Sequence, residues 1–230
     1  MIGVYDYTVI LTYLSMASGC IGIIVTMTGI GHPHAGVFFL MISGILDAFD
    51  GKVARTKKNR TDIEMNFGVQ IDSLADLICF GVLPTTIGMA MLRVSGIFTE
   101  LVTSKSYEGS FFFLVLLIMI AVFYILAALI RLAYFNATVE MREKEAKETG
   151  VVHYVGMPVT TAALIFPLIL MIHRFTRFDL TVLYFIVMLI VAFLFLANVK
   201  VRKPGKKGLT IIILIGLIEF AASIAVFYLP

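Results

Sequence analysis

An all-helical, polytopic membrane bundle is the fold class that this 230-residue sequence predicts, and three observations carry it. The chain is 60% hydrophobic and only 14% charged, with a mean hydropathy of +1.00, whereas a soluble domain carries about 25% charged residues. Its apolar residues gather into seven segments, each approaching the ~20 residues that cross a ~30 Å hydrocarbon core as a helix. None of these segments alternates apolar and polar residues as the strands of an outer-membrane barrel do. Disorder is excluded by the hydropathy, and low complexity by 6 Pro and 18 Gly. The two cysteines, Cys20 and Cys79, sit in separate apolar runs, which argues against a disulfide framework. A net charge of +3 gives no reason to expect a nucleic-acid partner.

The segments are expected at about 8–30, 35–55, 69–93, 111–136, 156–173, 180–199 and 209–229, in one membrane-embedded domain over 1–230. The first lacks a basic leader and six more follow, so it is expected to stay as a helix rather than act as a cleaved signal. The fifth is interrupted by Pro158 and Pro167. Between the fourth and fifth, Thr138–Thr149 alternates acid and base and reads as a short solvated helix ended by Gly150. Ser15, Ser18, Gly19 and Gly22 form a small-residue stripe that permits close helix contact, within the chain or between two chains.

Orientation follows from the basic residues. Fourteen of the 18 Lys and Arg fall in one set of loops: Lys52, Arg55, Lys57, Lys58 and Arg60; Arg131, Arg142, Lys144 and Lys147; Lys200, Arg202, Lys203, Lys206 and Lys207. Only Arg93, Lys105, Arg174 and Arg177 lie on the other side. The bias puts the N-terminus in the cytoplasm and, with seven crossings, the C-terminus outside. Lys203-Pro204-Gly205-Lys206-Lys207 reads as a basic turn that holds topology and meets anionic headgroups. His32 and His34 read as an external polar turn rather than a metal site.

The acids carry the chemistry. Of 15 acidic residues, five fall within or at the edge of apolar segments: Asp47, Asp50, Asp72, Asp76 and Glu219. A lone Asp at a helix centre costs roughly 2.5–3.5 kcal/mol on insertion scales, so intramembrane acids suggest function. Asp47 and Asp50 stand at i,i+3 on the second helix, and Asp72 and Asp76 at i,i+4 on the third. Both helices run to the same loop, so antiparallel packing brings the two pairs to a similar depth. Four facing carboxylates need cations, and hard oxygen ligands suit Mg²⁺, Mn²⁺ or Ca²⁺. Two divalent ions about 3.5–4 Å apart would neutralise them and form a phosphoryl-transfer clamp. Gly51 and Ala54 share the acid face and leave room for a ligand, and Arg55 can reach a phosphate bidentately.

The run Asp47-x2-Asp50-Gly51-x2-Ala54-Arg55-x12-Gly68-x3-Asp72-x3-Asp76 resembles the signature of the CDP-alcohol phosphotransferases. Asp72-Ser73-Leu74-Ala75-Asp76 followed by Phe80-Gly81-Val82-x-Pro84 is similar to the bacterial and archaeal branch that uses serine. Further matches to that branch are Arg131-Leu132-Ala133-x-Phe135-Asn136, Tyr154-Val155-Gly156-Met157-Pro158 and the N-terminal Leu11-Thr12-x2-Ser15-x2-Ser18-Gly19-x2-Gly22. One departure is Val159-Thr160-Thr161-Ala162, where that branch usually has a further small-residue or Pro pattern. The similarity covers about residues 8–165 and leaves Glu219 unassigned.

The resemblance implies that Asp47, Asp50, Asp72 and Asp76 share two divalent ions, Mg²⁺ or Mn²⁺, which hold the diphosphate of CDP-diacylglycerol. It implies that Gly51, Ala54, Arg55 and Gly68 bind the CDP-lipid, and that Asp76 is the base for the acceptor hydroxyl. L-serine is then the acceptor, CMP the leaving group, and the enzyme a homodimer in the cytoplasmic membrane. A serine carboxylate would suit Arg131, with Asn136 beside it. Glycerol 3-phosphate or inositol phosphate would want more basic residues than Arg131 and the 52–60 cluster. A polyprenyl transferase would lack the Asp-Gly-x2-Ala-Arg run, and an ion or proton transporter would hold its acids nearer the midplane.

Overall fold

The computed structural model describes residues 2–29, 33–98, 107–139, 141, 144, 153–176, 178–202 and 206–228. Each expected segment contains a helix. Helices α1 (Tyr7–Thr28) and α2 (Pro33–Ala54) form the first antiparallel pair. Next come α3 (Asp62–Asp76), a π turn (Leu77–Val82) and α4 (Leu83–Val94), which run on as one rod. The long α5 (Tyr107–Ala137) follows, then α6 (Ala162–Thr176), α7 (Thr181–Leu196) and α8 (Lys206–Tyr228).

Among the described residues, four helical stretches are long and apolar enough to cross a membrane: Tyr7–Thr28, Asp62–Val94, Phe111–Ala137 and Val159–Thr176. Thr181–Leu196 and Leu214–Ala225 are shorter apolar helices. The chain is therefore an all-α membrane-type bundle, with apolar side chains such as Phe112, Met119 and Phe193 facing outward.

Local chemistry sets the helix ends. Asp6 caps α1 by accepting from the Thr8 N–H at 2.8 Å, and Gly29 closes it at φ +69°. A reciprocal capping box starts α3: the Glu64 N–H donates to Thr61 Oγ1 at 3.2 Å and the Thr61 N–H to Glu64 Oε2 at 2.9 Å. The third helix thus begins at Asp62 rather than near 69, because this cap carries it past the apolar segment into the polar loop.

The small-residue stripe of α1 works within the chain. Ser15 Oγ donates to the Ser43 carbonyl at 3.2 Å, and Ser43 Oγ returns a bond to the Ser15 carbonyl at 3.0 Å. A Cβ on Gly22 would lie 2.8 Å from Phe39, so α1 and α2 approach too closely for any larger residue.

Two features were not expected. A three-residue antiparallel ladder pairs β1 (His153–Val155) with β2 (Lys200–Arg202), His153 opposite Arg202. Beside it, the Gly156 N–H donates to the Val199 carbonyl at 2.8 Å and the Met157 N–H to the Leu194 carbonyl at 3.2 Å. Gly156 holds φ +75°, where a Cβ would meet the Phe195 carbonyl at 3.0 Å. This clasp ties the start of α6 to the end of α7. Pro158 precedes a 3₁₀ turn (Val159–Thr161), whereas Pro167 is carried inside α6. Most of Thr138–Thr149, with Gly150, lies outside the described residues, as do His32 and 203–205.

Candidate metal centre

The last turns of α2 and the middle of the α3–α4 rod bring the motif acids together. Asp47, Asp50 and Asp72 each present a carboxylate oxygen, and these oxygens lie within 4.8 Å of one another. Asp76 stands next to Asp47, and Asp50 next to Asp72, with their carboxyl groups facing one another. Asp50 is 7% exposed, and Thr12 Oγ1 of α1 donates to its Oδ2 at 3.0 Å. Among the described residues no ion pair reaches these aspartates, and a set of converging carboxylates has the donor chemistry for a hard divalent cation. This cluster could bind a metal.

The neighbouring motif positions line the same end of α2. A Cβ on Gly51 would find only the Arg55 guanidinium, 3.7 Å away, so the helix face between the acids and the loop is open. Gly68 stands one turn before Asp72, and a Cβ there would lie 2.8 Å from Arg60 Nη2. Arg60 reaches this place by donating to the Glu64 carbonyl at 3.2 Å, and its Nε is buried without a hydrogen-bond partner. In the sequence Arg60 is one of the basic 52–60 cluster, with nothing to set it apart from its neighbours. Its relation to Gly68 depends on how the loop folds back over α3, for which no spacing rule exists. Thr12 belongs to the N-terminal family-like run, but its bond to Asp50 depends on how α1 packs on α2, which no spacing encodes.

Lys57 secures the loop. Its Nζ lies 2.6 Å from Asp6 Oδ2 and 2.7 Å from Glu64 Oε1, joining the cap of α1 to that of α3. The Lys57 ammonium, helped by the Thr8 hydroxyl and N–H, holds the Asp6 carboxyl down at about 2. Asp6, then Glu64, pushes the Lys57 ammonium up.

The two residues expected on the acceptor side behave differently. Asn136 Nδ2 donates to Ser73 Oγ at 2.8 Å, which links the end of α5 to the residue after Asp72. Arg131 is 6% exposed; its Nε donates to the Met157 carbonyl at 3.2 Å and its guanidinium lies 5.4 Å over the Phe135 ring. It thus buttresses the Gly156–Met157 clasp. Glu219 is not part of the group of converging carboxylates; it sits on α8, where its neighbour Phe220 stacks on Phe38 at 5.1 Å.

Comparison with known proteins adds a family and named relatives. The family model for CDP-alcohol phosphatidyltransferases matches residues 8–197. A CDP-diacylglycerol–serine O-phosphatidyltransferase of Saccharomyces cerevisiae is 31% identical over 175 residues, covering 74% of this chain and 55% of that protein. One of the same name from Mycobacterium tuberculosis (strain ATCC 25618 / H37Rv) is 29% identical over 153 residues, 65% of this chain and 44% of the relative. The archaetidylserine synthase of Methanothermobacter thermautotrophicus is 27% identical over 154 residues, 67% of this chain and 53% of the relative. The matched region thus spans about half the length of these curated relatives.

Proposed function

The chain belongs to the CDP-alcohol phosphatidyltransferase family, and from that premise we propose that it moves the phosphatidyl group of CDP-diacylglycerol to L-serine and releases CMP. The observation that carries the reading is the convergence of Asp47, Asp50 and Asp72 beside the open face of Gly51. Serine as acceptor is supported by the names of the yeast and mycobacterial relatives and by the archaeal archaetidylserine synthase.

In this reading Asp47, Asp50, Asp72 and Asp76 hold two divalent ions, Mg²⁺ or Mn²⁺. When bound, such ions supply positive charge to the diphosphate and to the departing CMP. Gly51 and Ala54 let the nucleotide lie against α2, with Arg55 at its phosphates and Gly68 on the facing helix. Arg60 joins them, because its buried Nε lacks an acceptor that a phosphate oxygen can provide. Asp76 takes the proton of the serine hydroxyl. The hydroxyl oxygen attacks the lipid-side phosphorus, and the bond from that phosphorus to CMP breaks with its electron pair leaving on CMP. Arg131 faces the serine carboxylate, and Asn136, anchored on Ser73, sets the end of α5 beside Asp72.

The topology proposed is one domain over residues 1–230 with seven crossings: the four long stretches with α2, α7 and α8. The N-terminus and the acid cluster then face the cytoplasm, in the cytoplasmic membrane, and the working unit is a homodimer.

CMP release by the purified protein tests the proposal. With CDP-diacylglycerol and Mn²⁺ or Mg²⁺, L-serine is expected to drive release, and glycerol 3-phosphate and inositol phosphate are not. Release with one of the phosphates alone would keep the metal cluster and remove the serine assignment.

A further inference from the structure

Four residues past Asp76, the acid-bearing rod meets a gap in its backbone hydrogen bonding that its own sequence creates. Leu77–Val82 wind as a π turn, with the Leu83 N–H bonded to the Ile78 carbonyl five residues back. In α-helical spacing the Phe80 carbonyl would take the N–H of residue 84. That residue is Pro84, which has none. A carbonyl stranded in an apolar interior is costly.

The Tyr124 hydroxyl of α5 fills the gap, donating to the Phe80 carbonyl at 2.8 Å, and both residues are 0% exposed. Gly81 faces the same helix: a Cβ there would lie in ordinary contact with Ala128, 3.5 Å away and one turn along α5 from Tyr124. The same helix holds the rod at Ser73 through Asn136 at 2.8 Å. Helix α5 therefore grips the rod on both sides of Asp76.

We propose that Tyr124 is a positioning residue for the metal centre. By completing the Phe80 carbonyl it fixes the π turn, and with it the direction in which Asp72 and Asp76 project toward Asp47 and Asp50. π turns recur at functional sites, where the extra residue re-aims what precedes and follows it. The inference rests on the metal reading of the four aspartates given above.

A plainer role exists for a buried tyrosine, whose hydroxyl simply needs a partner. The molecule contains the control for it. Tyr184 of α7 is also 0% exposed and donates to the Pro84 carbonyl at 2.8 Å. That carbonyl lies inside α4, where the helical ladder already supplies an N–H. Both rings sit in one aromatic core: Tyr124 packs on Phe166 at 5.6 Å and Phe166 on Tyr184 at 4.8 Å. A Tyr→Phe change keeps either ring and deletes only the hydroxyl.

The test is Mn²⁺ binding to purified full-length protein, read as free Mn²⁺ by electron paramagnetic resonance, with thermal unfolding measured alongside. Tyr124→Phe is expected to raise the Mn²⁺ dissociation constant about tenfold, the scale of losing a group that orients metal ligands. Tyr184→Phe is expected to lower the unfolding midpoint similarly and leave Mn²⁺ affinity unchanged. Wild-type affinity in Tyr124→Phe, or an equal loss in both variants, overturns the inference while leaving the metal reading intact. Wild-type protein that binds no Mn²⁺ overturns both. Should Tyr124→Phe alone fail to fold, Pro84→Ala carries the test, since alanine at that position supplies the missing N–H. Tyr124→Phe added to Pro84→Ala is then expected to change neither affinity nor stability relative to Pro84→Ala. A further loss of Mn²⁺ affinity would mean that the hydroxyl acts elsewhere, and would overturn the proposal.

Discussion

Two regions of this molecule bury carboxyl groups to the same degree and in opposite company. Asp50 is 7% exposed at the loop end of α2, and Glu219 is 9% exposed on α8. Around Asp50, other carboxylates converge from a second helix, Thr12 donates a hydrogen bond, and the Gly51 face stands open. Around Glu219 the described packing comes from apolar helix faces, with Phe220 on Phe38 and Ser223 on Met41, and Oε2 has no hydrogen-bond partner. Helix α8 also lies beyond residues 8–197, the part that matches the family. Burial alone therefore does not mark a carboxylate as a ligand. Convergence from two helices at a common depth does, since it leaves several oxygens that a single cation can satisfy together.

The largest expected effect breaks the cluster at its most buried member. Asp50→Ala is expected to weaken Mn²⁺ binding by more than about 100-fold, beyond the 10–100-fold typical of groups that only orient ligands, and to abolish CMP release. Unchanged Mn²⁺ affinity would dissolve the contrast with Glu219. Asp76→Asn separates chemistry from binding inside the same cluster. It is expected to lower turnover by about 10²–10⁴-fold, the range for a lost general base, while CDP-lipid still binds. Normal turnover would remove Asp76 from the base role.

The contrast also shows what a sequence can disclose. The four aspartates were legible because their spacings, i,i+3 and i,i+4, are helical periods that put like groups on one face. The helices were legible because a bilayer demands length and apolarity. The Asn136–Ser73, Tyr124–Phe80 and Arg60–Gly68 contacts were not: they depend on where one helix or loop lies against another, and no period encodes that. The Gly156 clasp is an intermediate case. Its residues stood out as a motif, but their service to the carbonyls at the end of α7 needed coordinates.

On the other side of the comparison, Glu219→Gln removes the charge and keeps the shape. Because the described contacts of α8 beside Glu219 go to Phe38 and Met41 rather than to the acids, the change is expected to alter CMP release by no more than about twofold. A larger loss would tie α8 to the reaction and end the distinction drawn above.

The smallest effect concerns a third kind of carboxylate, half-buried at the cap of α1 and paired with a cation. Asp6 is held at about 2, below its ordinary 3.8, chiefly by Lys57. A depressed carboxyl contributes stability that is fully present above the ordinary value and is lost as pH falls through the folded one. Lys57 is raised above 10.5, so its share is present below that value and fades only as pH rises past it. Between about pH 4 and pH 10 the Asp6–Lys57 bond is therefore constant. The unfolding midpoint of wild type should exceed that of Asp6→Asn by a fixed small margin at pH 5–8 and lose that margin between about pH 4 and pH 2. Solvent screening keeps it small, as for exposed ion pairs generally. A margin that persists at pH 2 would mean that Asp6 acts through its hydrogen bond to the Thr8 N–H, which asparagine can partly replace, rather than through its charge. The loop over the acid cluster would then be held by Lys57 and Glu64 alone.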